Sequence, residues 1–353
     1  MNRVCRNLHT RAVTGLVVAA VVSCTAASRN TVQVRVAPAV SLAQGMYAPY
    51  FETWRPDNLA NMAQLSGARY FTLAFIQTAN VGSCVPTWNG NPKQPVSGSN
   101  LGGAINQLRN QGGDVIVSFG GSAADNSGTD IADSCSNVSQ IAAAYESVIS
   151  TYNITRLDMD VEGKSLSDTA GINRRNEALK IAESWAAQHG RSLQVEYTLP
   201  TAQSGLKANT LAVLSNAIAE GTKVNIVNIM TFDYLSPHEG TVDMGGTAMN
   251  ALQDLHGQLS KLYPWATSAS LWAMEGVTLL PGIDSAPAKA EVTSLSDASR
   301  VLAFGQLNHI GLISIWSIQR DNGGCPGISD SSVCSGLTQN NWAFSKVLSA
   351  FAG

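Results

Sequence analysis

Hydrophobic positions in this chain gather into short, nearly unbroken runs separated by longer stretches of helical period. Gly45–Tyr50, Tyr70–Gln77, Asp114–Gly121, a fourth run from Ile154 to Gly163, Ser192–Leu199, Val224–Phe232, Gly276–Leu280 and Gly311–Ser317 read as strands. The stretches 56–66, 99–111, 137–152, 169–189, 207–220, 245–262, 287–304 and 340–352 read as helices, that at 137–152 being amphipathic and rich in alanine. A run apolar on nearly all sides suits a parallel strand covered on both faces. Strands alternating one for one with helices place the chain in the α/β class. A (β/α)8 barrel typically needs ~250 residues. Residues 43–353 carry eight such units without a compositional break, which predicts a single (β/α)8 TIM barrel.

The fourth run departs from this apolar rule. Successive side chains of a strand point to opposite faces, so Asp158, Asp160 and Glu162 share one face while Leu157, Met159 and Val161 share the other. Same-face neighbours lie only ~7 Å apart. Three carboxylates that close, beside an apolar face, are costly unless they share protons or hydrogen bonds. Barrel sites lie at the C-terminal ends of the strands. Glu162 is at such an end, as are Ser118-Phe119-Gly120-Gly121, Asp233-Tyr234 and Trp316.

Composition narrows the remaining choices. A net charge of −3 with 13% charged residues leaves no basic footprint for nucleic acid. The five histidines (9, 189, 238, 256 and 309) have no metal-ligand spacing, and neither a glycine-rich phosphate loop nor a G-x-S-x-G elbow occurs. No metal or cofactor is therefore expected.

At the N-terminus, Arg3, Arg6 and Arg11 precede an apolar run, Ala12–Ser23, too short to span a bilayer. Residues 1–24 read as an export signal and 25–42 as a polar tether. Two endings stay open. Thr25-Ala26-Ala27 offers small residues to an ordinary signal peptidase. Alternatively, Val21-Val22-Ser23-Cys24 resembles a lipobox, in which case a lipidated Cys24 would attach the protein to a membrane. Both endings imply export, to the medium or to the cell envelope. In an oxidising compartment the even set Cys84, Cys135, Cys325 and Cys334 implies disulfides. Three connectivities exist for four cysteines. The favoured one joins Cys325 to Cys334, closing a short Gly/Ser-rich loop, and Cys84 to Cys135, stapling two loops.

The fourth strand resembles the D-x-x-D-x-D-x-E signature of family 18 glycoside hydrolases, the chitinases and their relatives. Asp158, Asp160 and Glu162 match its last three acids, and Thr155 stands where the first would be. Ser118-Phe119-Gly120-Gly121 is similar to the family's S-x-G-G. Met230-Thr231-Phe232-Asp233 is similar to its M-x-Y-D, with Phe232 in place of tyrosine, and Trp316 falls where the family places a tryptophan under the sugar. The likeness spans roughly residues 44 to 353.

The resemblance implies a retaining mechanism in which the substrate's own 2-acetamido group is the nucleophile. Glu162 would be acid and then base, Asp160 would hold the acetamido N–H, and Asp158 would share a proton with Asp160. Asp233, Met230 and Trp316 would bind the sugar, and Tyr234 would be a candidate for the hydroxyl that Phe232 lacks. Tyr47, Phe75 and Trp88 are candidates for lining the cleft. The implied substrate is β-1,4-linked N-acetylglucosamine in chitin or chito-oligosaccharides, acted on by a monomer. The alternatives are an endo-β-N-acetylglucosaminidase acting on N-glycans and a non-hydrolytic chitinase-like carbohydrate-binding protein.

Overall fold

The computed structural model describes residue 39 and residues 45–234, 242–284, 291–329 and 331–351. The expected signal, Cys24 and all of the expected tether but Ala39 lie outside the described residues.

Among the described residues, eight parallel strands close into a barrel. Strand one is split. Its first piece, Met46–Tyr47, pairs with strand eight, Leu312–Ile315, and its second, Tyr50–Glu52, pairs with strand two, Tyr70–Thr78. Pro49, which has no N–H to give, falls where the strand changes partner. The Ala48 N–H still reaches the Ile313 carbonyl at 3.0 Å, and the Pro49 carbonyl accepts from Thr72 N at 3.0 Å, so the ladder crosses the break. Strands three to seven, Asp114–Gly120, Arg156–Asp160, Gln194–Pro200, Val224–Met230 and Glu275–Leu279, complete the circuit in chain order. The expected (β/α)8 barrel is the observed fold.

Several helices start where a side chain satisfies one of their first N–H groups. Asn58 accepts from Asn61 N, so the first helix is Leu59–Ser66 rather than 56–66. Ser294 and Asp297 form a reciprocal cap that opens Leu295–Asn308, which shortens the expected 287–304 at its start. The closing helix covers only Ala343–Leu348 of the expected 340–352. Short elements without a long hydrophobic period were not legible. They include helices Ser122–Ser127, Ile131–Ser134 and Ser268–Trp272, strand Pro86–Trp88 laid antiparallel on strand two, and the hairpin of Gly282–Ile283 with Val292–Thr293.

One expectation needs correction: the strands are not apolar on nearly all sides. Their helix-facing residues are, as with Leu73, Val117, Leu157, Met159, Val195, Val227 and Ile313, each at most 1% exposed. Facing the barrel axis, an apolar layer of Met46, Ala48, Tyr70, Ile116, Ile226 and Leu312 is confined to the N-terminal end. Above it the interior is polar, with Ser118, Asp158, Asp160, Glu196, Thr198, Asn228 and Thr278 all buried. Buried polar groups are tolerable when they are hydrogen-bonded, and Ser118, Asp158, Thr198, Asn228 and Thr278 bond to one another, whereas Asp160 Oδ1 and Glu196 Oε1 have no partner. Asn228 Nδ2 donates to Thr198 Oγ1 at 3.0 Å and to Thr278 Oγ1 at 2.8 Å. The disulfides are Cys84–Cys135, with Cα atoms 4.8 Å apart, and Cys325–Cys334, at 6.0 Å, the favoured pairing.

Candidate active site

Backbone geometry brings the three acids to the barrel mouth. Asp158 pairs in register with Ser118 and Glu196, and Asp160 with Gly120 and Thr198, so both acids face the axis. Glu162 lies past the ladder, yet its backbone stays extended (φ −132°, ψ −178°). The Val161 N–H also still donates to the Thr198 carbonyl at 3.0 Å, so the alternation persists through Glu162.

Their surroundings give the three carboxyls different proton affinities. Asp158 is fully buried. Its Oδ2 accepts from Ser118 Oγ at 2.6 Å and from the Tyr50 hydroxyl at 2.8 Å, and its Oδ1 accepts from Thr198 Oγ1 at 2.8 Å. Burial pushes its pKa up to about 6, and those three donors oppose the rise by stabilising the anion. Asp160 is buried too, and its Oδ1 has no hydrogen-bond partner. Burial first, then the charges of Glu162 and Asp158, hold its pKa well above the carboxylate range. Glu162 is raised to about 7, by burial and then by the Asp233 carboxylate, while the Ser122 main-chain N–H bonded to it pulls the other way. Burial and mutual repulsion thus raise the proton affinity of all three, and Glu162 is able to hold or release a proton near neutral pH.

The glycines of Ser118-Phe119-Gly120-Gly121 make this arrangement sterically possible. Both have positive φ, 98° and 82°. A Cβ on Gly120 would lie 2.2 Å from the Asp160 carbonyl oxygen, and one on Gly121 would lie 2.6 Å from the Phe75 ring.

Over the acids opens a cleft of about 710 Å³ lined by Asp160, Glu162, Met230, Phe232, Asp233 and Trp316 among others. Its floor is aromatic. Phe75 stacks on Trp316 with centroids 5.4 Å apart and an interplanar angle of 20°. Trp54, 46% exposed, lies 6.4 Å from Phe75 and 6.3 Å from Trp316, and Tyr50 meets the Trp316 edge at 5.4 Å. Flat apolar faces beside carboxylates and amides suit a sugar ring, which has apolar faces and a hydroxyl-bearing rim.

Comparison with known proteins decides what this site belongs to. Residues 46–278 match the profile described as Glycosyl hydrolases family 18. The chain is a member of that family. It is 34% identical over 319 residues to the probable bifunctional chitinase/lysozyme of Escherichia coli, covering 87% of this chain and 34% of that protein. It is also 34% identical over 286 residues to endochitinase 11 of Metarhizium anisopliae, covering 78% of this chain and 52% of that one. The chain thus spans about a third and about half the length of these two relatives. Active domain 2 of the chitinase from Pyrococcus furiosus superposes with a TM-score of 0.76 at 28% identity, covering 89% of this chain and 96% of that domain. The same domain is known complexed with chito-oligosaccharides.

Set out on this family 18 barrel, the residues singled out from sequence divide into two groups. Asp160, Glu162, Met230, Asp233, Phe75 and Trp316 all border the cleft, with Asp158 directly beneath. Tyr47 does not line it. That ring is 3% exposed in the core outside the barrel, and its hydroxyl bonds Ser345 Oγ at 3.0 Å. Alternation explains the miss: Met46, Ala48 and Tyr50 face the axis, so Tyr47 faces the helices. Trp88 is buried with its Nε1 donating to the Tyr152 hydroxyl at 2.7 Å.

Tyr234 does not replace the hydroxyl missing at Phe232. After Met230 the chain leaves the ladder and Asp233 turns left-handed (φ 52°), its N–H donating to Asp284 Oδ2 at 3.0 Å. The Tyr234 N–H donates to Glu291 Oε2 at 3.2 Å, and the Tyr234 hydroxyl is buried without a hydrogen-bond partner, outside the cleft lining. Two aromatic residues that line the cleft escaped the sequence reading. Tyr50 and Trp54 sit on and just past the end of strand one, where the strand-end rule that pointed to Trp316 applies equally.

Proposed function

We propose that this chain is an exported enzyme cleaving β-1,4-linked N-acetylglucosamine, in chitin or chito-oligosaccharides, with retention at the anomeric carbon. The observation that carries this reading is the column Asp158, Asp160, Glu162 rising into a cleft floored by Trp316, Phe75 and Trp54. With its pKa raised to about 7, Glu162 can give a proton to the glycosidic oxygen near neutral pH and then, ionised, activate water. Ordinary retaining glycosidases add a carboxylate nucleophile, whereas substrate-assisted ones use the sugar's acetamido group. In this scheme Asp160 holds the acetamido N–H and sits beside the positive oxazolinium ion. Asp158, fixed by its three hydroxyl donors, shares the resting proton with Asp160. The chitinase-named relatives and the chito-oligosaccharide complexes of the Pyrococcus furiosus domain support this substrate class.

Export rests on the basic-then-apolar pattern of residues 1–24. Mass spectrometry of the mature N-terminus separates an acylated Cys24 from cleavage further along.

Hydrolysis of a fluorogenic N,N′-diacetylchitobioside by wild type and Glu162→Gln tests the catalytic reading. Activity in the wild type and its loss in the variant are expected, with the β-anomer released first by NMR. Activity that survives the substitution would remove Glu162 from its role. No activity in either protein, with chitin binding retained, would make this a carbohydrate-binding protein. Cleavage of N-glycan cores but not of chito-oligosaccharides would make it an endo-β-N-acetylglucosaminidase.

A further inference from the structure

The short helix Ser122–Ser127 packs against the segment that follows strand four, from Glu162 to Lys164. The Gly121 N–H donates to the Asp160 carbonyl at 2.9 Å. Asp125 Oδ2 accepts the main-chain N–H of Glu162 in a very short hydrogen bond. From the other side, the Ser122 main-chain N–H favours the charged form of the Glu162 carboxylate. One residue on, a Cβ at Gly163 would lie 2.6 Å from Asn126 Oδ1, and Lys164 Nζ donates to the Asn126 carbonyl at 2.9 Å. The same half-dozen residues therefore bond the Glu162 backbone and favour the charged form of its carboxylate. Nothing in the barrel ladder would do this, because the ladder ends at Asp160.

Asp125 is an odd residue to spend on packing. It is 1% exposed, its Oδ1 has no hydrogen-bond partner, and burial pushes its pKa to about 9. A buried, half-satisfied carboxyl is costly, and a small apolar residue could fill the same space on a helix. What Asp125 adds is an acceptor aimed at one N–H, that of Glu162.

We propose that Asp125 is a positioning residue for Glu162, anchoring its backbone while the Ser122 N–H fixes its carboxylate, so that helix Ser122–Ser127 acts as a two-point clamp on the proton donor. This rests on the reading of Glu162 as the acid and base. The charged and titratable groups facing the clamp are Asp130 and Arg175 behind Asp125, Asp160 and Asp233 around Glu162, and Lys164 on the Asn126 carbonyl. Arg175 Nη2 bonds Asp130 Oδ1 at 2.8 Å, so Asp130 is already compensated.

The test uses the full chain and chito-oligosaccharide hydrolysis, with folding checked by thermal melting. Asp125→Ala should lower kcat ~30- to 100-fold, the scale of a slightly misplaced reacting group, with KM changed less than ~3-fold. Asp125→Asn keeps an oxygen for the Glu162 N–H and should recover most of that loss. Ser122→Pro attacks the other point. Proline is tolerated at the first helical position; it removes the N–H together with the Ser122 hydroxyl that accepts from Asn126 Nδ2, and Ser122→Ala is the control that removes the hydroxyl alone. Since that N–H stabilises the carboxylate, its loss should raise the Glu162 pKa, and the alkaline limb of the pH–rate profile should move to higher pH.

An Asp125→Ala kcat within ~3-fold of wild type, or a loss that appears in KM instead, overturns the clamp. If Asp125→Ala does not fold, Ser122→Pro decides, and an unmoved alkaline limb overturns it. Failure of the underlying reading looks different: Glu162→Gln would then remain active, whatever the clamp variants do.

Discussion

The ends of strands four and six, one strand apart in the barrel, border the same cleft but are built differently. At strand four the chain stays extended through Glu162, so the two-residue period that aligned Asp158 and Asp160 also aims Glu162. Strand six ends at Met230, and within three residues Asp233 has turned left-handed, its N–H taken by Asp284. Counting by twos therefore succeeds on one wall and fails on the other, where Phe232 and Asp233 both border the cleft and Tyr234 turns away. The lesson is that residue spacing is a reliable guide only as far as the backbone bonds that enforce it.

The largest effect should come from the extended wall. Glu162→Gln removes the transferable proton and should cost ~10³-fold in kcat, within the range for general acid–base catalysis. A loss below ~10-fold would mean the acid lies elsewhere. The floor shared by both walls comes next. Trp316→Ala should lower kcat/KM by ~10-fold through lost stacking, with the pH profile unmoved.

The turned wall should act on the extended one through charge. The Asp233 carboxylate raises the Glu162 pKa, so Asp233→Asn should lower it and shift the alkaline limb to lower pH. The sign follows because the donor works only while protonated, and a lower pKa empties it earlier. An unmoved limb would disconnect the two walls. The smallest effect should be at Tyr234. Its hydroxyl is buried with no hydrogen-bond partner, so Tyr234→Phe should leave kcat within ~2-fold and stability equal or slightly higher. A large loss would put that hydroxyl in the cleft after all.

How much was legible in the sequence varied with the kind of physics involved. The strands were found because burial on both faces writes a continuous apolar run, and the acids because an interruption of such a run by three evenly spaced carboxylates is costly. Both disulfide pairings were the favoured ones. Tyr47 falls outside the cleft because Met46, Ala48 and Tyr50 occupy the axis-facing positions of strand one, which turns Tyr47 toward the helices. Trp54 sits in a loop, where no period marks direction. Helix Ser122–Ser127 is too short to carry a hydrophobic period, and with it Asp125 was invisible.

By itself, then, the sequence determined the barrel, the order of its strands and the column of acids, all of which follow from local alternation and from what burial demands of side chains. Only the tertiary structure decided what surrounds those acids. The hydroxyls of Tyr50, Ser118 and Thr198 reach Asp158 from three different strands. Asp125 reaches the Glu162 backbone from a helix 37 positions away in the chain. Proton affinities depend on such through-space neighbours and on burial, and neither is written in the spacing of residues along one strand.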